Sequence, residues 1–246
     1  MSLNSYIDKA RFAVAQARSG DSRYDVDTYR TLANMRQWRG EDIILDVGAN
    51  DGRTILRWRR HLPATRILAF EPVRSTFQTL TERTKDLPDI KLFQCALGAL
   101  AERRTIYLDD QSALNSFYAE RTNASGAEEV EVDTLDAVIE REGIDRVQLL
   151  KIDAEGHDLD VLQGATSALS EQKFEIIQVE ASFDLPGQAG APLWDFHALL
   201  SRYGYHLHAL TNLCMSPMPR TGSGSRGGGR SWRVLNYCDA IFVAAR

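Results

Sequence analysis

Four apolar runs in this chain lack polar alternation: IILDV at 43–47, RILAF at 66–70, VQLLKI at 147–152 and FEIIQV at 174–179. A strand with one wet face alternates apolar and polar residues, so unbroken runs of this kind are strands covered on both faces. Stretches of helical character follow three of them, at 54–61, 75–87 and 159–169. Strand–helix alternation builds a mostly parallel sheet between two layers of helix, an α/β architecture. IKLFQCAL, 90–97, reads as a further strand, and YGYHLHAL, 203–210, and YCDAIFVA, 237–244, as two more near the end. Residues 102–110 and 128–135 read as extended pieces around a polar loop, forming a hairpin beside the sheet.

The 246 residues, 43% of them hydrophobic, suffice for one sizeable core. Residues 1–40 read as an N-terminal helical extension, with helices near 6–17 and 25–38, and 41–246 as the main domain. The connector at 216–233 is dominated by Gly, Ser and Arg and is expected to be a solvated excursion; closure of its arginines over an anionic substrate is the other reading. A net charge of -5 gives no support for nucleic-acid binding. Cys95, Cys214 and Cys238 are widely spaced, in neither a metal nor a redox pattern, as in a reducing compartment. Asp8 and Lys9 interrupt the start of the chain, and no apolar segment reaches the roughly 20 residues needed to span a bilayer. The expectation is a soluble cytoplasmic protein; nothing in the sequence sets its oligomeric state.

The chemistry concentrates where the runs end. The first ends in DVGANDG, with Asp46, Gly48, Asn50 and Gly52. A strand, a glycine turn and a helix present free backbone N–H groups at a cleft on the carboxyl edge of a sheet. The turn is neither the phosphate loop nor the triple-glycine dinucleotide fingerprint. Asp46 is placed to meet a ligand ammonium, and Glu71, closing AFEP, to accept the two hydroxyls of a ribose. An acid for a ribose without a turn for a pyrophosphate favours a nucleoside with an amino-acid tail, and S-adenosylmethionine fits. Its adenine is expected near Ala96 and Leu97.

LLKIDAEGHD, 149–158, is the other loaded end. Lys151 and Asp153 share a strand face, and Glu180 ends the neighbouring run. Lys151 holding an acid in place is preferred over direct proton transfer. Asp153 and Glu180 together suit one hard divalent ion such as Mg2+, which would polarise a substrate hydroxyl. A metal-free site with a carboxylate or His157 as base is the equal alternative, and His157 as a mere helix cap stands against both.

DVGANDG, AFEP, VDTLDAVI, LLKIDAEGHDLDVLQGA and IIQVE, in that order over residues 41–181, resemble the FkbM-type methyltransferases. The resemblance implies the Rossmann-like class I methyltransferase fold: a seven-stranded sheet, its last strand antiparallel, with helices on both faces. It also implies S-adenosylmethionine as methyl donor and a hydroxyl acceptor on a small molecule such as a sugar, a glycolipid or a polyketide. Asp46, Gly48, Asn50 and Gly52 match the family's cofactor turn, Glu71 its ribose acid, and Lys151, Asp153, Glu155 and Gly156 its second signature. Asp158 stands where the family often carries Glu. Three alternatives remain open: a noncatalytic nucleoside-binding or protein-interaction module, an N-methyltransferase and a nicotinamide-dependent oxidoreductase.

Overall fold

The computed structural model describes residues 27–62, 65–119, 125–183, 190–217 and 233–245. The helix expected near 6–17 and the connector core at 218–232 lie outside these residues. Seven strands form one sheet in the order β3-β2-β1-β7-β8-β10-β9. They are β1 (Ile43–Val47), β2 (Arg66–Phe70), β3 (Ile90–Phe93), β7 (Val147–Ile152), β8 (Phe174–Ser182), β9 (Tyr205–Pro217) and β10 (Arg233–Ala244). The first five run parallel, and β10 lies antiparallel between β8 and β9.

The unbroken apolar runs are explained by two cores, one on each face. Leu45, Val47, Leu68, Phe70, Leu150, Ile152, Ile177 and Val179 face one side and belong to one buried cluster. Ile44, Ile67, Ala69, Leu149, Ile176 and Ile241 face the other. The second face is covered by α1 (Thr28–Asn34) and α2 (Arg53–His61), which bury Leu32, Ile55 and Trp58, and by α3 (Arg74–Thr84), which buries Leu80. The first face is covered by α4 (Leu135–Arg141), α5 (Asp158–Gln163), α6 (Thr166–Ser170) and α7 (Leu193–Ser201). Asp27 caps α1 by accepting from the Tyr29 and Arg30 amides, and the Thr134 hydroxyl caps α4 by accepting from Ala137 N.

Two expectations are corrected. The segment 90–97 is not one strand: β3 stops at Phe93, and β4 (Ala96–Leu97) pairs instead with β6 (Gly126–Asp133). β6 also pairs antiparallel with β5 (Glu102–Leu108), giving the expected hairpin as a separate three-stranded sheet. The helix expected over 159–169 is broken in two at Gly164. α4 and α7, of 7 and 9 residues, are additional to the helices read from the sequence. Among the described residues no helix is long and apolar enough to cross a membrane.

Gly164 is glycine for packing, since a Cβ there would stand 2.0 Å from the Gly98 carbonyl oxygen. Backbone on backbone has little room to yield, so Gly164→Ala should destabilise the fold by about 1–3 kcal/mol, read as a lower midpoint in urea unfolding.

Candidate active site

Where the strands end, the face beneath α1 and α2 turns from apolar to charged. Below it lie Ile44, Leu149 and Ile176; two residues on come Asp46, Lys151 and Gln178, and two beyond those, Asp153 and Glu180. Glu180 in turn pairs in register with Asp239 of β10. Lys151 is the hub. Its Nζ lies 3.0 Å from Asp46 Oδ1 and 3.4 Å from Asp153 Oδ2 and donates to the Gly48 carbonyl at 2.9 Å. Burial acts to lower the Lys151 pKa, but Asp46 and Asp153 outweigh it and hold the ammonium charged. Burial raises the pKa of Asp46, and Lys151 opposes that shift.

This arrangement corrects the reading of Asp46 as the partner of a ligand ammonium: it is wholly buried and already spent on Lys151. Two glycines change meaning as well. A Cβ on Gly48, at φ +74, would stand 1.9 Å from the Asp153 carbonyl oxygen, so the turn is tight against β7 as well as bordering a cavity. Gly52 lines no described cavity. At φ +82 it opens α2, and a Cβ there would meet Leu80 Cδ1 at 2.8 Å.

Two cavities flank the glycine turn and share Asp153. One, of about 120 Å³, is walled by Phe70, Ala96, Leu97, Ile106 and Phe117 and bordered by Gly48, Asn50, Glu71 and Glu155. No Lys or Arg is among its described lining residues. Glu71 accepts from Asn50 N at 3.1 Å and from Val73 N at 2.9 Å, which fixes its carboxylate at the cavity edge. Burial pushes its pKa up from 4.5 to about 7, against those two amide bonds. Asn50, at φ 47, accepts from the Ser112 hydroxyl at 2.9 Å, so the loop after β5 is tied down over this cavity.

The other cavity, of about 390 Å³, has an acidic floor of Asp153, Glu180 and Asp239, with Lys151, Gln178 and Asn212 beside them. Its walls are Thr28 and Tyr29 of α1 and one side of α2. Burial first, then Asp153, Asp158 and Asp239, raise the Glu180 pKa well above the ordinary carboxylate value. Asp239 is raised to about 6, chiefly by burial, while a 2.6 Å hydrogen bond from the Thr28 hydroxyl works the other way. Glu155, at φ 48, is also raised by burial and its acidic neighbours.

His157 belongs to neither cavity. It is 3% exposed, with Nδ1 2.9 Å from Asp160 Oδ2, Nε2 3.3 Å from Arg104 Nη1, and its ring against Phe117. That burial corrects its candidacy as the base. It occupies the N-cap position of α5 without a side-chain capping bond. Among the described residues no three His, Cys, Asp or Glu side chains gather as a metal site. Asp153 and Glu180 both line the larger cavity, but the Lys151 ammonium lies 3.4 Å from the Asp153 carboxylate, which does not fit a divalent ion on the same oxygens.

The comparisons agree with this geometry. The chain matches the Methyltransferase FkbM domain over residues 46–207. It belongs to that family. It is 27% identical over 181 residues to the hexuronic acid methyltransferase AglP of Haloferax volcanii, covering 71% of this chain and 72% of that one. It is 31% identical over 158 residues to Methyltransferase 1 of Beauveria bassiana, covering 56% of this chain and 62% of the relative. The crystal structure of methyltransferase FkbM from Methylobacillus flagellatus KT superposes with a TM-score of 0.54 at 20% identity, over 87% of this chain and 47% of that chain, which shows the shared fold.

Sequence reading missed Gln178, Asn212, Asp239 and the polar side of α2. One signal was present: Asp239 and Gln178 each interrupt an otherwise apolar run. Two predictions follow from the charged hub and the cavity edge. Lys151→Met leaves Asp46 buried without a counter-charge and should cost about 3–5 kcal/mol, seen in chemical denaturation. Glu71 binds its proton more tightly folded than unfolded, so its penalty is absent below pH 4.5 and complete above about 7. The ligand-free protein should lose stability across that window, and Glu71→Gln should flatten the loss in melts run at a series of pH values.

Proposed function

We propose that the protein is an S-adenosylmethionine-dependent O-methyltransferase whose acceptor is a hydroxyl of a small, sugar-like molecule. What carries the reading is the pair of cavities meeting at Asp153, one apolar-walled with an acid at its edge, the other polar throughout. The first suits an adenine between apolar side chains and a ribose at Glu71. Having no cation among its described lining residues, it suits a nucleoside better than a pyrophosphate, which counts against a nicotinamide cofactor. When bound, S-adenosylmethionine supplies an activated methyl group on a sulfonium. Asp153 stands where the cofactor's tail and the acceptor would meet.

The chain's own residues then align the alcohol and accept one proton. Asp153 accepts a hydrogen bond from the hydroxyl and turns its oxygen toward the methyl group. Asp153 takes that proton as the oxygen attacks, and Glu180 lines the floor beside it. Lys151 is a positioning residue that holds Asp153 and the glycine turn in one frame. Gln178, Asn212 and Asp239 supply the mixed donors and acceptors that a polyol requires. A hexuronic acid acceptor in the Haloferax volcanii relative supports a sugar-like substrate here. The Mg2+ expectation is not carried into this mechanism, since Lys151 already serves as the counter-charge of Asp153.

Asp153→Asn should lower turnover about 10²-fold or more while changing S-adenosylhomocysteine affinity little, measured by labelled methyl transfer and by calorimetry. Equal losses in turnover and affinity would refute the assigned role. Transfer to amines but never to hydroxyls, in a panel of labelled acceptors, would refute O-methylation.

A further inference from the structure

The helix α2 reads RTILRWRRH and carries more positive charge than its packing uses. Ile55 and Trp58 face the core. Arg53 pairs with Asp51 at 3.1 Å, and Arg59 donates to the Thr65 and Pro88 carbonyls at 2.6 Å each. Arg57, Arg60 and His61 are left, and all three line the larger cavity. Arg57 lies over the Tyr29 ring, 5.3 Å from its centroid, and neither it nor Arg60 has a carboxylate partner among the described residues.

Cations in the last turn of a helix also favour its dipole, but Arg57 sits a full turn earlier, and dipole stabilisation does not require a cavity. The cavity is therefore bipolar, with the carboxylates of Asp153, Glu180 and Asp239 on the sheet, that of Asp27 at the start of α1, and cations on α2. An anion would be repelled from the floor and attracted to the helix. The cofactor's own carboxylate is a poor candidate for this end. Arg60 lies about 9 Å along the axis from Thr54, the first-turn residue that lines this cavity.

We propose that Arg57, Arg60 and His61 form an oxyanion subsite, and that the acceptor is an anionic polyol bearing a carboxylate or phosphate. The inference rests on the O-methyltransferase reading and adds the substrate's charge. With its anion fixed at α2, the acceptor can turn only its opposite end toward Asp153. The subsite thus selects which hydroxyl is presented, as well as which molecules bind.

The test is calorimetry of the full chain saturated with S-adenosylhomocysteine, titrated with glucuronate, glucose 6-phosphate and glucose. At least one of the two anions should bind about tenfold tighter than glucose, and their ranking separates carboxylate from phosphate. Arg57→Ala combined with Arg60→Ala should abolish the preference and leave S-adenosylhomocysteine affinity unchanged; Arg60→Glu should weaken the anions further. Far-UV circular dichroism and melting confirm that the variants are folded. No anion preference, no heat from either anion, or a preference kept in the double variant would overturn the proposal. Lost S-adenosylhomocysteine affinity in that variant would also overturn it, by assigning the cations to the cofactor. If wild-type protein fails to bind S-adenosylhomocysteine, the methyl-transfer reading falls separately, and the three sugars titrated into protein alone then decide the subsite.

Discussion

The site is organised around one buried ammonium. Lys151 reaches Asp46 on the adjacent strand, the Gly48 carbonyl in the turn and Asp153 at its own strand's end. Each contact compensates for removing a charge from water, which alone would be prohibitive. Together they fix β1, the glycine turn and β7 relative to one another. Gly48 can then lie so close to the Asp153 carbonyl that no side chain fits between them. Asp46 supplies the buried counter-charge and lines neither of the two cavities described above.

Around that hub the carboxylates outnumber the cations. Asp46, Glu155, Asp158, Glu180 and Asp239 all have raised pKa values, with burial the leading cause in each case. Raised proton affinity of this kind is the condition in which a carboxyl can exchange a proton with an alcohol near neutral pH. Perturbed groups of this kind also occur in purely structural networks. Here, Asp153, Glu180 and Asp239 line a hollow instead of filling one.

Much of the fold was legible because burial on both faces of the sheet leaves a direct mark: IILDV, RILAF, VQLLKI and FEIIQV contain few polar residues. The resemblance of LLKIDAEGHDLDVLQGA to the family supplied the topology. Element ends were less legible. Nothing local in IKLFQCAL says that the chain leaves one sheet at Phe93 and joins another at Ala96, since that choice is made by β6, over thirty residues later. The strand-end acids Asp153, Glu71 and Glu180 were visible because period two puts them at the cleft. His157 was misjudged because sequence gives proximity to the loop but not the Arg104, Asp160 and Phe117 that enclose it. Asp239 and the cations of α2 become part of the site only through tertiary contact.

Asp153 is the one described side chain that borders both cavities. Apart from Lys151 of β7, the rest of the larger cavity's wall comes from α1 with its N-cap, α2 and the last strands. Such a division lets the two halves diversify at different speeds. On the proposed function, substitutions at Asn212, Asp239 or Arg60 would remodel the choice of acceptor and leave the donor half intact, so descendants of one scaffold would acquire new substrates without first losing the chemistry that makes them useful.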